Sequence, residues 1–95
     1  MNFEWDAGKN RRNKQKHKIS FELAREVFFD PFCLTIPDES SGEEERFWTI
    51  GRIPDSLILV VVHAFSYRSE EETVRIISAR KATSRERRFY EESDW

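Results

Sequence analysis

The chain has 95 residues, of which 36% are charged, and a formal net charge of -2. This length suits one domain near the small end of what folds on a single core, so we treat residues 1–95 as one domain. Eight Phe and three Trp can supply the core. The longest apolar run, residues 57–62, is far shorter than the ~20 residues of a membrane-spanning helix, so we expect no membrane span.

Several classes of protein are excluded by what the sequence lacks. The N-terminus has no basic-then-apolar signal pattern, and the single cysteine, Cys33, cannot form an internal disulfide, so we expect a cytoplasmic protein. His17 and His63 are far apart and no Cys-x-x-Cys pair is present, so we predict no metal site and no cofactor. A Gly-rich phosphate loop and a Gly-x-Ser-x-Gly nucleophile motif are also missing.

The charges are segregated along the chain, although the net charge alone argues against a nucleic-acid-binding protein. Residues 9–18 contain six cations and no acid, and residues 75–88 contain six more cations with Glu86 as the one acid. The acids collect in residues 38–45, 70–72 and 91–94. A surface divided in this way can attract a polyanion while the total charge stays near zero.

The first third of the chain predicts a strand and two helices. Residues 3–5 alternate between apolar and polar, which is typical of a short strand. Asp6 is a good N-cap for a helix over residues 7–17, which has almost no apolar face and must lie on the surface. Ser20 caps a second helix, which ends at residues 30–31 because the residue before a proline avoids the helical conformation.

The remaining two thirds predict a sheet followed by a helix. The predicted strands are residues 32–36, 46–53, 57–65 and 73–81. Residues 37–45 are predicted as an exposed loop. Residues 83–92 are predicted as the last helix, which begins with Thr83 or Ser84 as its cap. The order β-α-α-β-β-β-β-α predicts an α+β domain: an antiparallel β-sheet with helices packed mainly on one face.

The predicted hairpins bring cationic side chains together. If Arg52 pairs with Leu57 across the first turn, Arg46 lies opposite His63. The same counting across the second turn places His63 opposite Arg75. The sequence therefore predicts a cross-strand row of Arg46, His63 and Arg75, although a shift of one residue would change every neighbour and face.

A histidine and several arginines remain as candidates for metal-free phosphodiester chemistry. Cleavage of RNA by its own 2′-hydroxyl needs a proton acceptor and a cation that stabilises the developing negative charge. His63 suits acid or base catalysis, and Arg52 and Arg80 suit bidentate contacts to phosphate, so we predict these three as catalytic residues. The residues that we expect to bind substrate are Arg85, Lys14, Lys16, His17, Arg75 and Tyr90.

Each of these assignments has a purely structural alternative. His63 can be a half-buried strand residue with a satisfied hydrogen bond. His17, at the end of a helix, can stabilise the negative end of the helix dipole. Tyr90 can pack the last helix against the core, and the arginines can be solvated. The sequence leaves both interpretations open.

Short motifs in order along nearly the whole chain resemble the BrnT family. They are residues 3–6, Asn13, residues 16–17, 19–21, 45–47, 50–51, 59–63, 75–83 and 85–87, and Tyr90. BrnT proteins are toxins of type II toxin–antitoxin pairs. The resemblance implies a RelE-like ribonuclease fold, RNA cleavage that arrests translation, and neutralisation by a BrnA antitoxin with a ribbon-helix-helix DNA-binding part. It also implies an assembly with two copies of each chain.

These observations lead to the expectation of a metal-independent endoribonuclease toxin. The alternative is a non-catalytic partner-binding module that binds an antitoxin and co-regulates its DNA binding. The two differ in geometry: an enzyme needs His63 and the arginines in one open cleft, whereas scattered arginines favour the binding module.

Overall fold

Helices and strands follow one another in the predicted order. The computed structural model describes residues 1–40, 42–68 and 70–93, and for Tyr67 and Arg68 the backbone alone. The elements are β1 (Asn2–Glu4), α1 (Ala7–His17), α2 (Phe21–Ala24) continued by a 3-10 segment (Arg25–Phe29), β2 (Leu34–Asp38), β3 (Arg46–Arg52), β4 (Ile58–Arg68), β5 (Glu71–Lys81) and α3 (Ser84–Glu92). The predicted α+β class is therefore confirmed.

The helices begin where local chemistry predicts. Asp6, Ser20 and Thr83 each accept a hydrogen bond through their side chains from the backbone N–H three residues further on, at 2.9, 3.1 and 3.1 Å. Thr83 forms a complete capping box, since the Glu86 carboxylate also accepts from the Thr83 N–H at 2.9 Å. These caps satisfy N–H groups that a helix N-terminus leaves without partners.

Several strand boundaries differ from prediction by one to three residues, and β2 continues to Asp38, two residues into the predicted loop. β2 begins at Leu34 rather than residue 32, because the Asp30 carboxylate and carbonyl accept hydrogen bonds from the N–H groups of Phe32 and Cys33, both at 3.0 Å. These bonds hold residues 30–33 in a turn. In the hairpin of β4 and β5, β4 ends at Arg68 and β5 begins at Glu71. Most of residues 66–72, the predicted connection between these two strands, is therefore strand.

The sheet has the strand order β1-β5-β4-β3-β2. Every neighbouring pair from β5 to β2 is antiparallel, as predicted, whereas β1 pairs with β5 in parallel, with Phe3 opposite Val74. The predicted antiparallel sheet therefore has one parallel edge strand. Parallel neighbours need a long crossover connection, and everything between β1 and β5 supplies it.

The two faces of the sheet carry different helices. On the face that we call the helical face, α1, α2 and the 3-10 segment cover the main core, which includes Ile19, Phe21, Val27, Leu59, Val61, Val74 and Ile76. On the opposite face, which we call the open face, α3 packs Tyr90 against Ile50, Ile58 and Val60. The prediction that helices lie mainly on one face holds for α1 and α2, whereas α3 covers one end of the other face.

One residue, Asn13, attaches the basic helix α1 to the sheet. Its carboxamide accepts from the N–H of Ala79 at 3.1 Å and donates to the carbonyl of Ala79 at 2.8 Å, as a neighbouring strand would. The same amide nitrogen donates to the carbonyl of Ile19 at 2.9 Å. A second side chain, Asn10, accepts from the N–H of Phe21 at 2.8 Å. Polar contacts therefore replace the apolar face that α1 lacks.

A β-bulge in β5 decides which side chains share a face. β5 carries one extra residue, Ile77, opposite the step from Val62 to His63 in β4. Arg75 and Arg80 are five residues apart, so strict alternation would send them to opposite faces of the sheet. The extra residue reverses the alternation between them and brings both to the open face.

The predicted row of Arg46, His63 and Arg75 is wrong. His63 pairs with Phe47 on β3 and with Ile76 on β5, so both hairpins are shifted by one residue from the predicted register. A shift of one residue exchanges the faces of all side chains. His63 therefore lies on the helical face, and Arg46 and Arg75 lie on the open face.

The contacts of Asn13 generate a stability prediction. We expect Asn13→Ala to lower the free energy of unfolding by roughly 1–3 kcal/mol, because the backbone groups of Ala79 and Ile19 lose their buried partners. Urea denaturation followed by circular dichroism measures this, with Gln15→Ala, exposed on the same helix, as the control. Equal stability of the two variants would contradict the role given to Asn13.

Candidate functional site

His63 is a core residue in this structure. Its side chain has no exposed surface, and its ring lies against Phe28 and Phe65, both with ring centroids at 4.9 Å, and is stacked on Phe47 at 6.0 Å. Its Nε2 lies 2.7 Å from the hydroxyl of Thr49. Burial lowers the pKa of His63 to about 4. The ring is therefore neutral near pH 7 and out of reach of any substrate, which corrects the expectation that it is an accessible acid or base.

Two arginines meet at one carboxylate at the end of the open face. The guanidinium groups of Arg46 and Arg75 both form ion pairs with Glu44, that of Arg46 at 3.5 Å. The hydrogen bond from Arg75 lowers the pKa of Glu44, and the side chains of both arginines remain about one third exposed. Arg46 and Arg75 thus converge as the sequence predicts, but through Glu44 and without His63.

Arg80 is held in a fixed orientation in the middle of the open face. Its two terminal nitrogens donate to the two carboxylate oxygens of Glu86 at 2.7 and 2.9 Å, a bidentate fork. Its guanidinium also lies over the ring of Trp48, 5.6 Å from the centroid. The hydrogen bonds from Arg80 lower the pKa of Glu86 to about 2. Glu86 therefore has a double role, as helix cap and as the group that orients Arg80.

Arg52 and Tyr90 belong to an anchor for α3 at the far end of the same face. Tyr90 is buried and donates a hydrogen bond to Asp30 at 2.5 Å, and burial with this bond raises its pKa to about 12. Arg52 lies over the Tyr90 ring at 5.8 Å and forms an ion pair with Glu91 at 3.8 Å. Tyr90 packs the last helix, as its structural alternative states, and Arg52 keeps an exposed guanidinium.

The cations of α1 separate into two groups. Lys16 and His17, with Lys9 and Arg12, line a shallow cleft of about 390 Å³ that reaches Ser78 on β5. Lys14 lines a different cleft with Arg11, Gln15 and Lys18. Lys16 and His17 therefore border the edge of β5. This is the strand that carries Arg75 and Arg80 on the open face. Lys14, which the sequence groups with Lys16, lies apart from that edge.

An apolar groove of about 320 Å³ lies on the open face beside Arg80. Its lining residues come from α3 and the strands β2, β3 and β4: Ile36, Trp48, Ile50, Val60, Arg85, Glu86 and Phe89. Three apolar residues of this lining are unusually exposed for their size: Phe89 at 50%, Ile36 at 41% and Trp48 at 36%. The predicted substrate-binding residue Arg85 lies at this groove.

The open face therefore gathers most of the predicted residues. Those that it includes are Arg52, Arg75, Arg80, Arg85 and Tyr90. Three residues of this face, Trp48, Glu86 and Phe89, were not predicted from the sequence. The available signals were the alternation that puts Trp48 on the face of Arg46, and the i to i+4 spacing of Arg85 and Phe89 on one side of α3.

Two features are absent from the part of the chain that the structure describes. No group of three or more His, Cys, Asp or Glu side chains there is arranged to hold a metal ion. No helix in the same residues is long and apolar enough to cross a membrane.

The burial of His63 generates a prediction about pH. The unfolded chain keeps the ordinary pKa of 6.5 and the folded protein has about 4, so the unfolded state binds more protons between these values. The contribution of neutral His63 to the free energy of unfolding is therefore fully present above pH 6.5, and it is lost as the pH falls from 6.5 towards 4. We expect a loss of about 2 kcal/mol between pH 7 and pH 5.

Urea denaturation at each pH measures this loss, and His63→Gln removes the titrating group. The variant should show a much flatter dependence over this range, whatever its stability at pH 7. The same slope in both proteins would contradict the buried, neutral state of His63.

Comparisons with known proteins identify the family of this chain. Residues 5–86 match the family described as the ribonuclease toxin, BrnT, of type II toxin–antitoxin systems. The chain is similar to the ribonuclease toxin BrnT of Brucella abortus, known from a 1.1 Å crystal structure: the TM-score is 0.66 and the sequence identity 27%, covering 88% of this chain and 99% of that one. A comparison with curated proteins found no match. Because the match spans most of the chain, this protein belongs to the BrnT family of type II ribonuclease toxins.

Proposed function

We propose that this protein is a metal-independent endoribonuclease that cleaves RNA on the open face of its sheet and so inhibits translation. The observation that carries the proposal is the presence of Arg46, Arg75 and Arg80 on one exposed face with Trp48. The planar guanidinium of an arginine can donate two parallel hydrogen bonds to one phosphate, and an exposed tryptophan offers a flat surface to a base. Membership of a ribonuclease toxin family supports RNA as the substrate.

Arg80 is the central phosphate-binding residue of this proposal. The Glu86 carboxylate already engages its guanidinium through two parallel hydrogen bonds, the geometry in which two phosphate oxygens would bind. In the reaction the ribose 2′ oxygen forms a bond to phosphorus and the bond to the 5′ oxygen breaks. Negative charge develops on the oxygens of the phosphorane, and the Arg80 guanidinium stabilises this charge once the phosphate has replaced the Glu86 carboxylate on it.

Glu86 replaces His63 as the proton acceptor in our proposal. The pKa of Glu86 is about 2 while Arg80 bonds to it, so the free protein holds it as a weak base. When a phosphate takes over Arg80, the group that lowers this pKa is withdrawn, and Glu86 regains a basicity closer to that of an ordinary carboxylate. Glu86 then takes the proton from the 2′-hydroxyl, and the departing 5′ oxygen takes one from solvent on this open face.

The edge of β5 extends the RNA-binding surface towards α1. Lys16 and His17 border a cleft that reaches Ser78, two residues from Arg80. We expect these cations to bind the phosphates next to the phosphate at the cleaved bond. Such contacts position the RNA and do not depend on its sequence. Arg85 and Arg52 extend the cationic surface in the opposite direction, along α3.

A type II toxin has an antitoxin partner, and we propose a BrnA-type protein with a ribbon-helix-helix DNA-binding part. The expected assembly contains two toxins and two antitoxins in the cytoplasm. The second candidate function, a non-catalytic module that binds the antitoxin and co-regulates its DNA binding, gains support from the burial of His63. The shared face of Arg46, Arg75 and Arg80 favours the enzyme, and the following experiment separates the two.

Purified protein should cleave naked RNA at the same rate with and without EDTA, and the upstream product should end in a 2′,3′-cyclic phosphate. Attack by the 2′ oxygen produces that end group, and arginines supply the charge that a metal ion would otherwise supply. Gel analysis of end-labelled RNA gives both results. Loss of cleavage in EDTA would contradict the metal-independent mechanism, and no cleavage under any condition would favour the binding module.

Arg80 variants connect this activity to the open face. Arg80→Ala should lower kcat/KM by about 2–4 kcal/mol of transition-state stabilisation. Arg80→Lys keeps the charge without the planar fork and should recover only part of the activity. Arg87→Lys, exposed on α3, is the matched control. Full activity of a folded Arg80→Ala protein would place the site elsewhere.

The two clefts of α1 give a second test of the surface. Lys16→Ala should weaken binding of a non-cleavable RNA and flatten the dependence of log affinity on log salt concentration, because one phosphate contact is lost. Lys14→Ala changes the charge of the same helix equally but lies in the other cleft. Fluorescence anisotropy at several salt concentrations measures both slopes. An effect of Lys14→Ala as large as that of Lys16→Ala would mean that α1 acts only through its total charge.

A further inference from the structure

We propose that the apolar groove on the open face is a subsite for one RNA nucleobase, adjacent to the phosphate that Arg80 binds. This inference rests on the proposed ribonuclease function and adds to it the part of the RNA that lies next to the cleaved bond. The groove would hold the base by stacking, while the arginines beside it hold the backbone.

The walls of the groove have the chemistry that stacking requires. Trp48 on β3 and Phe89 on α3 contribute two aromatic rings, exposed at 36% and 50%, and Ile36 contributes a third exposed apolar side chain. The floor is formed by Ile50 and Val60, which are buried in the packing of α3 against the sheet. Bases stack on aromatic side chains whatever their sequence, because every base has a π-face.

The positions of the cations match the shape of a nucleotide. The guanidinium of Arg80 lies over the Trp48 ring, 5.6 Å from its centroid, so the phosphate site and the aromatic wall are immediate neighbours. Arg85 is a second cation at the groove. A nucleotide carries an anionic group a short distance from a flat apolar base. A cationic rim beside an apolar groove therefore complements it in both charge and polarity.

The size of the groove favours a base over a protein segment. Its volume of about 320 Å³ is at the lower end of the 300–1,000 Å³ that is typical of small-ligand clefts. An amphipathic helix of a partner needs a longer trough, with places for side chains one and two turns apart. An acidic antitoxin segment would also be attracted by Arg80 and Arg85, so antitoxin binding is the competing outcome of the test.

The test uses RNA that contains a 2′-deoxy nucleotide at the mapped cleavage position, so that binding is measured without cleavage. The base is removed from the nucleotide on the 5′ side of the cleaved bond in one RNA and on its 3′ side in another. One of these two changes should weaken binding to the wild-type protein by roughly 5- to 100-fold, the range for one base stacked on an aromatic side chain. Phe89→Leu keeps an apolar side chain without the ring. It should weaken binding of intact RNA, and removing the base should then have little further effect.

Phe29→Leu is the matched control, because Phe29 is 65% exposed and packs near Phe3 on the other side of the molecule. Thermal melts show whether each variant is folded, and the comparison of intact with base-free RNA needs no variant at all. Affinity for the antitoxin is measured on the same proteins. If the wild-type protein cleaves RNA, but neither base removal nor Phe89→Leu changes its affinity for RNA, the base subsite is overturned. The proposed ribonuclease function would not be affected by that result.

Two other outcomes also decide the question. Weaker antitoxin binding by Phe89→Leu, with RNA binding unchanged, would assign the groove to the antitoxin and overturn the inference. A wild-type protein that neither cleaves nor binds RNA would remove the proposed function, and with it the subsite.

Discussion

The carboxamide of Asn13 hydrogen-bonds to the backbone of β5 at a place where β1 no longer pairs with this strand. Beyond Arg75, the last residue paired with β1, the N–H and carbonyl of Ala79 have this side chain as their neighbour in place of a strand. α1 contributes no large apolar side chain, so this contact, with that of Asn10, holds six cations of the 9–18 segment against the sheet. A polar interaction of this kind is expensive to break because buried backbone groups would lose their partners. The basic surface depends on it.

The bulge at Ile77 has an equally direct consequence for the arginines. It brings Arg75 and Arg80 to one face, although their spacing of five residues would separate them in a regular strand. Glutamates pair with both: Glu44 with Arg75 and Glu86 with Arg80. Under the proposed function, RNA would meet guanidinium groups that are already ordered but partly neutralised, and its phosphates would compete with carboxylates. Exposed ion pairs of this kind contribute little to stability, so their value lies in orienting the arginines.

The features that the sequence predicts well are those set by a few neighbouring residues. Asp6, Ser20 and Thr83 cap the helices because capping is local chemistry. The strand register was wrong by one residue because the two turns set it, and in these turns Ser56 and Glu70 adopt a positive φ. The bulge changes the count in β5 only beyond Ile76. The core position of His63 had a signal that the prediction did not use: it continues an alternation with Leu59 and Val61 on the buried face. The groove beside Trp48 forms because α3 crosses the open face, and no local sequence pattern indicates that crossing.

We expect RNA to bind to the open face, because the helices and the main core close the face that contains His63. The indole N–H groups of two tryptophans report on the two sides, because Trp48 lies on the open face and Trp5 packs on Phe21 on the helical side. Proton–nitrogen NMR during titration with a non-cleavable RNA is the most direct test. We expect the Trp48 indole resonance to shift progressively while that of Trp5 stays unchanged. A shift of Trp5, with Trp48 unmoved, would contradict the account.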